Sequence, residues 1–169
     1  MLRSLAAALL CSSVLLTACS DDAATAVDPD SSEDNVVLTP GEGCGDAYFW
    51  AASADDKIAV GVMVEQRDRS KTQPTTASYD VGDAGLTITV FRGHDLAETF
   101  CTDVIVNDPI KSEKPATAGH VEVRLDPLKD DFQGCGSTTG TVTVTGLEGD
   151  GLAFADFTVE AANIGCYAG

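Results

Sequence analysis

The sequence predicts an all-β fold, an antiparallel sandwich of seven or eight short strands. Three observations support this class. Apolar and polar residues alternate at period two in several runs, as they do in strands with one buried face. Clusters of Gly, Asp, Asn and Pro separate these runs. No long helical period follows residue 44 in this chain of 169 residues, which is about the length of one domain.

The clearest strand alternates Ile58, Val60, Val62 and Val64 with smaller or polar residues. Similar runs predict the other strands, so the full predicted set is 46–53, 58–65, 86–91, 99–106, 120–125, 139–145 and 152–160. The last two form the arms of a hairpin around the glycine-rich turn at 148–151. Residues 94–101 can also hold one helical turn, with Asp95 as its cap.

The predicted strand number suits a two-layer architecture of the immunoglobulin-like kind. A domain of this size buries roughly two-thirds of its surface, which is enough for one core. The Cys–Trp–Cys spacing of true immunoglobulin domains is absent, so only the architecture is predicted. A small β-barrel of eight strands is the alternative.

The N-terminus carries a targeting signal that lies outside the fold. Residues 5–16 form an apolar run, Arg3 is the only charge before residue 21, and the run is too short to span a membrane. The segment Leu16-Thr17-Ala18-Cys19 resembles the lipobox of bacterial lipoproteins. This resemblance implies cleavage of residues 1–18, diacylglycerol and palmitate on Cys19, and an anchor in membrane lipid on the extracytoplasmic face. The alternative is an ordinary secretory peptide with Cys19 as a spare thiol.

Residues 19–43 are predicted to be an acidic, disordered tether between this anchor and a domain at 44–169. The segment carries several carboxylates and no Lys or Arg. One-sided charge with little apolar surface cannot offset the entropy lost on ordering. Calcium-loop spacing of the acids is absent, so a solvated tether is favoured over a calcium site.

Cysteine count predicts two disulfides in the exported domain. The chain has six cysteines, of which one leaves with the signal peptide and Cys19 carries lipid. The remaining four allow three connectivities: Cys44, Cys101, Cys135 and Cys166. Extending the arms of the last hairpin brings Cys135 towards Cys166, which leaves Cys44 to pair with Cys101. None lies in a Cys-x-x-Cys pair, which disfavours redox and zinc sites.

Charge and motifs narrow the function classes. Ten Lys and Arg stand against 27 Asp and Glu, giving a net charge of −17. Such an acidic chain repels phosphates, so nucleic acid is not an expected partner. Serine-elbow and zinc-hydrolase motifs are absent from the sequence. The chain is therefore expected to be a non-enzymatic binding protein without a metal or cofactor.

Two sets of residues are candidates for a binding surface. Tyr48 and Trp50 can form a stacking platform for sugar or peptidoglycan fragments, although burial in a core is the favoured interpretation. His120, Glu122 and Arg124 share one strand face, where they can bind an anion or a metal. The same pattern is typical of a solvated outer face, which is again favoured.

Two further patterns have simpler interpretations. The basic island at 67–71 is interpreted as a charged loop rather than a dock for an anionic polymer. Thr141, Thr143 and Thr145 form a one-face row typical of strands, with no assigned function.

The expected function is binding or interaction with cell-wall or envelope proteins. A small-ligand carrier with a barrel cavity and a carboxylate-based cell-envelope hydrolase are the alternatives.

Overall fold

A computed structural model describes residues 35–65, 70–102, 108–130 and 136–165. The fold is all-β, as the sequence predicts, and every strand pairing is antiparallel. In chain order the strands are β1 (Leu38–Cys44), β2 (Tyr48–Ser53), β3 (Ile58–Val64), β4 (Thr75–Asp80), β5 (Leu86–Gly93), β6 (Ile110–Leu125), β7 (Lys129–Asp130), β8 (Gly136–Gly149), β9 (Leu152–Ala153) and β10 (Phe157–Gly165).

The strands form one curled sheet in the order β1-β2-β3-β5-β6-β8-β10, with β4 also paired to β6. The long strand β6 joins the two halves, because its first part pairs with β5 and its second part with β8 and β4. Its register shifts twice between Ala116 and His120, and Gly119 adopts a φ of 140°. These bulges bend the strand, so the two halves face each other as in a sandwich while remaining one sheet, as in a barrel.

The two ends of the sheet come together on the far side of the core. The Gly165 N–H donates to the Gly45 carbonyl at 2.9 Å. A Cβ added to Gly43 would lie 2.7 Å from the Cβ of Ala161, so β1 approaches β10 closely there. Glycine permits this approach because it has no side chain to separate the strands.

The main core fills the space between the two halves. Most of the alternating apolar residues face inward: Val60, Val62, Val64, Val90, Val121, Val142 and Val144 are all at most 1% exposed. Ile58, at the start of β3, is half-buried. Phe49 of β2 is fully buried and points towards β8, where a Cβ on Gly140 would lie 3.0 Å from its ring. The period-two pattern therefore identified the core face correctly, because side chains alternate between the faces of a strand.

A second, smaller core covers the outer face of β2, β3 and β5. Its buried members are Ala52, Ala59, Phe91 and Leu96. Leu96 belongs to a single 3₁₀ turn, Leu96–Glu98, which confirms the helical turn predicted there. The Asp95 side chain makes no capping bond. Asp56, from the turn between β2 and β3, caps this turn instead, since its carboxylate accepts the Ala97 N–H at 2.7 Å.

Two sequence predictions of local structure differ from the fold, and two strand segments were not predicted. The tether prediction is wrong for Val36 to Gly43, because β1 pairs with β2, Leu38 is buried, and Val36 bridges Phe154. The predicted strand at 99–106 is wrong at its start, where Thr99–Cys101 form a turn. Residues 103–107 lie outside the described ranges. Strand β4 and the first part of β6 were not predicted.

Candidate functional site

Polar side chains of β4, β6 and β8 form a continuous outer surface on one half of the sheet. The strand register aligns them in rows, with Ser78 opposite Glu122 and Glu122 opposite Thr143. We call this surface the polar face and define it by Thr76, Ser78, Asp80, His120, Glu122, Arg124, Thr141 and Thr143. It unites two patterns that the sequence shows separately, the charged row of β6 and the threonine row of β8.

The polar face exists because the same strands bury their other face. Val121, Val123 and Leu125 alternate with the charged residues of β6 and lie in the main core. Since successive side chains of a strand point to opposite faces, burying one set directs the other set to solvent. The positions of the polar groups are thus fixed by the packing of the core behind them.

A depression of about 550 Å³ lies in this surface. The residues that line it are Thr76, Ser78, Thr141, Thr143, Glu122 and Arg124, together with the apolar Ala77 and Val123. The lining therefore offers hydrogen-bond donors, acceptors and both signs of charge. Its size is within the range of pockets that hold small molecules.

His120 connects two residues of β4 through its two ring nitrogens. The Nδ1 atom lies 2.7 Å from Oδ1 of Asp80, and Nε2 lies 3.0 Å from Oγ of Ser78. An ionised carboxylate only accepts hydrogen bonds, so Nδ1 carries the ring proton in the neutral form. Nε2 is then free to accept the hydroxyl proton of Ser78. The side chains of His120 and Asp80 are 42% and 77% exposed, so molecules in solvent can reach these hydrogen-bonded groups.

At the far end of the polar face, Arg124 and Asp126 form an ion pair of 3.3 Å. The Thr139 hydroxyl donates to the Asp126 carboxylate. This hydrogen bond, assisted by the positive charge of Arg124, lowers the pKa of Asp126 below its ordinary value. Asp126 therefore stays ionised and holds Arg124 beside the depression.

Metal binding is not supported within the described ranges. No group of three or more His, Cys, Asp and Glu side chains there is arranged to hold a metal ion.

Tyr48 and Trp50 lie on the opposite half of the sheet, beneath Phe100. The ring centroid of Phe100 is 5.4 Å from that of Trp50, 6.1 Å from that of Tyr48 and 5.1 Å from that of Phe91. Both predicted platform residues are half-buried. Burial raises the pKa of Tyr48 above its ordinary range, and the negative charge of Glu113 adds to this effect.

Close backbone approach explains why this aromatic cluster is not an open platform. A Cβ on Gly41 would collide with the Trp50 ring, and one on Gly61 would collide with the Tyr48 hydroxyl. The indole Nε1 of Trp50 is buried without a hydrogen-bond partner in the described part of the chain. A shallow pocket of about 400 Å³ adjoins the edge of Trp50, between Pro40 and Ala97.

The Cys44–Cys101 disulfide fixes the segment that covers these aromatics. The bond is present, with a Cα–Cα distance of 5.7 Å, as the sequence predicts. Cys44 ends β1 beside Tyr48, and Cys101 follows Phe100 directly. The disulfide therefore holds Phe100 over the outer face of β2.

Other predicted residues make no contribution to the polar face. The His94 side chain contacts the neighbouring Asp95 carboxylate, with Nδ1 3.1 Å from Oδ2. Cys19, Cys135 and Cys166 lie outside the described residues, as do positions 67–69 of the basic island.

Ser78 and Asp80 are the site residues that the sequence interpretation missed. A signal for them exists, because Thr76, Ser78 and Asp80 alternate with the apolar Ala77 and Tyr79. That period-two pattern is short, and it predicts a strand without saying which strand it will pair with.

Comparison with known proteins gives no relative for this chain: no family model matches, and neither the curated proteins nor the solved structures yield a match. Within the described residues, no helix is long and apolar enough to cross a membrane.

Proposed function

We propose that the protein is an exported lipoprotein, anchored by acylated Cys19 on the extracytoplasmic side of a bacterial membrane. The support is the lipobox-like segment 16–19, preceded by an apolar run and followed by acidic residues. Each buried CH₂ of an acyl chain contributes about 0.8 kcal/mol, so two chains hold a protein stably at a membrane. Residues 19–34 then act as a tether between the lipid and the β domain.

Detergent-phase partitioning of the full chain, expressed in a bacterium that processes lipoproteins, tests the anchor. Cys19→Ala should move the protein to the aqueous phase or leave its precursor uncleaved. Cys11→Ala is the matched control, because it removes a cysteine from the signal peptide and should leave partitioning unchanged. Equal detergent partitioning of Cys19→Ala and the wild type would contradict the anchor.

The β domain is proposed to bind a polar, hydroxyl-bearing ligand of the cell envelope at the polar face. The observation that carries this proposal is the 550 Å³ depression, which is lined by four hydroxyl side chains and by one charge of each sign. The four hydroxyl side chains, together with Glu122 and Arg124, can form hydrogen bonds with the hydroxyl groups of a saccharide. The rigid strands beneath hold these groups in place before the ligand arrives, which limits the entropy lost on binding.

The predicted alternative of a carrier with an interior cavity has less support. Inward-facing side chains such as Phe49, Val62 and Val144 are fully buried against one another in the main core. The polar face, in contrast, is open to solvent on rigid strands.

Calorimetric titration with soluble cell-envelope oligosaccharides tests the binding surface. Arg124→Ala should weaken binding by about tenfold to 100-fold, since a lost hydrogen bond to a charged group costs about 1.5–3 kcal/mol. Lys111→Ala is the control, because it removes the same charge from an exposed position on the other half of the sheet. Binding that responds equally to both variants, or no binding by the wild type, would overturn the proposal.

A further inference from the structure

We infer that Ser78, His120 and Asp80 form a nucleophilic relay that hydrolyses O-acyl esters on the polar face. This activity goes beyond the proposed binding function and does not depend on which ligand is bound. It also departs from the sequence expectation of a non-enzymatic domain, because the three residues come together only through strand pairing.

The hydrogen-bond order is that of a serine nucleophile, its general base and the group that orients the base. Ser78 Oγ lies 3.0 Å from His120 Nε2, and His120 Nδ1 lies 2.7 Å from Asp80 Oδ1. Such arrangements are recognised by geometry and roles rather than by sequence position. The carboxylate fixes the tautomer in which Nε2 can take the serine proton.

The strand register brings the three side chains of the relay together. Asp80 lies directly opposite His120, and Ser78 lies two residues earlier on the same face of β4. The register shift between Ala118 and His120, next to the positive φ of Gly119, sets the position from which the imidazole projects. Bulges of this kind commonly redirect a side chain beside an active site.

The depression beside Ser78 provides room for the ester. Ser78 lines it, and so does Arg124, which lies two residues further along β6 than Glu122, the residue opposite Ser78. Diagonal neighbours across two strands are about 7–8 Å apart, within reach of a long side chain. Arg124 is the cation assigned to stabilise negative charge on the acyl oxygen, and to do so its guanidinium must turn from Asp126 towards Ser78.

The reaction balances with water as the only co-reactant. Ser78 Oγ bonds to the acyl carbon while its proton passes to His120 Nε2. The ester C–O bond then breaks, and the leaving alcohol takes that proton. Water next attacks the acyl-serine and gives a proton to Nε2, the bond to Oγ breaks, and the proton returns to Oγ as the carboxylic acid departs. Asp80 touches no substrate and is a positioning residue.

Covalent labelling of the full chain with diisopropyl fluorophosphate, followed by intact mass measurement and peptide mapping, tests the nucleophile. One adduct is expected, on Ser78, with release of fluoride. Ser78→Ala should abolish it, whereas the control Ser112→Ala, in the other half of the sheet, should keep it. No adduct on the wild type, or an equal adduct on Ser78→Ala, would overturn the inference.

Hydrolysis of p-nitrophenyl acetate tests the base and its orientation. His120→Gln should lower kcat about 100-fold, the lower range for general-base catalysis. Asp80→Asn should lower kcat at least about tenfold with little change in KM, because it disturbs the tautomer rather than binding. Unchanged turnover in both variants, with native Trp50 emission, would exclude the relay. Since neither assay uses an envelope saccharide, failure here is separate from failure of the binding proposal.

Discussion

Replacing both Cys44 and Cys101 by serine should lower the free energy of unfolding by about 4 kcal/mol. The disulfide links residues 57 positions apart. The chain-entropy relation gives about 3 kcal/mol for a 15-residue loop and about 4.7 kcal/mol for a 100-residue loop, so this loop lies between them. A second disulfide between Cys135 and Cys166, as the sequence predicts, would close a separate loop and leave this value unchanged.

The loss should arise in the unfolded chain rather than in the fold. Cys101 is exposed and Cys44 is half-buried, so serine hydroxyls at these positions can reach water. In the variant, we expect the packing of Phe100 against the rings of Trp50 and Phe91 to hold it in place without the cross-link. The main cost is therefore the extra conformational freedom of an unfolded chain without its cross-link.

Urea unfolding followed by tryptophan emission measures this change directly. Trp50 is the only tryptophan, and its ring lies 5.4 Å from that of Phe100. The native emission of the double serine variant should match the wild type, while its unfolding midpoint falls. Phe100→Ala is the control, since it alters the surroundings of Trp50 and leaves the disulfide intact. A loss under about 1 kcal/mol would refute the entropy argument. So would a native emission shift as large as that of Phe100→Ala.

Three other predictions follow from packing and titration. Gly140→Val should destabilise the domain by about 1–3 kcal/mol, because its Cβ would lie 2.6 Å from a Leu125 side-chain carbon; an unchanged thermal midpoint would contradict this. The lowered pKa of Asp126, due mainly to the Thr139 hydroxyl, contributes stability that is present above about pH 4 and lost at lower pH. Thr139→Val should therefore lose less stability than the wild type between about pH 5 and pH 2 in urea titrations, and equal losses would count against the hydrogen bond. The raised pKa of Tyr48 favours the neutral phenol, so stability present below about pH 10 is lost at higher pH. Tyr48→Phe should therefore lose less unfolding free energy than the wild type above about pH 10 in urea titrations, and an equal loss would contradict this.

Sequence patterns located the inner face of the sheet well but located its edges poorly. Val60, Val62 and Val64 alternate strictly, and the core buries them as predicted. Strand β1 was missed because Thr39 to Gly43 have the small and polar composition of a linker. They are ordered through pairing with β2, a contact that local composition does not record.

The aromatic cluster shows a similar limit. Because successive strand residues point to opposite faces, Tyr48 and Trp50 share one face of β2, and only Phe49 lies in the main core. The residue that covers this outer face is Phe100, which lies 50 positions after Trp50 in the chain and follows the course fixed by the disulfide. The sequence did not indicate this contact, because the β-branched residues of 99–106 predicted a strand there instead of a turn.

The sequence by itself determined the all-β class and the buried parity of most strands, because period-two burial is a property of the local sequence. It left three cysteine connectivities open, and the structure shows the favoured Cys44–Cys101 bond. Only the tertiary structure decided that Ser78 and Asp80 meet His120. Residues 40 and more positions apart become neighbours through register, and register depends on the whole core and on the bulges of β6. The polar face is for the same reason a property of the paired strands rather than of any one of them.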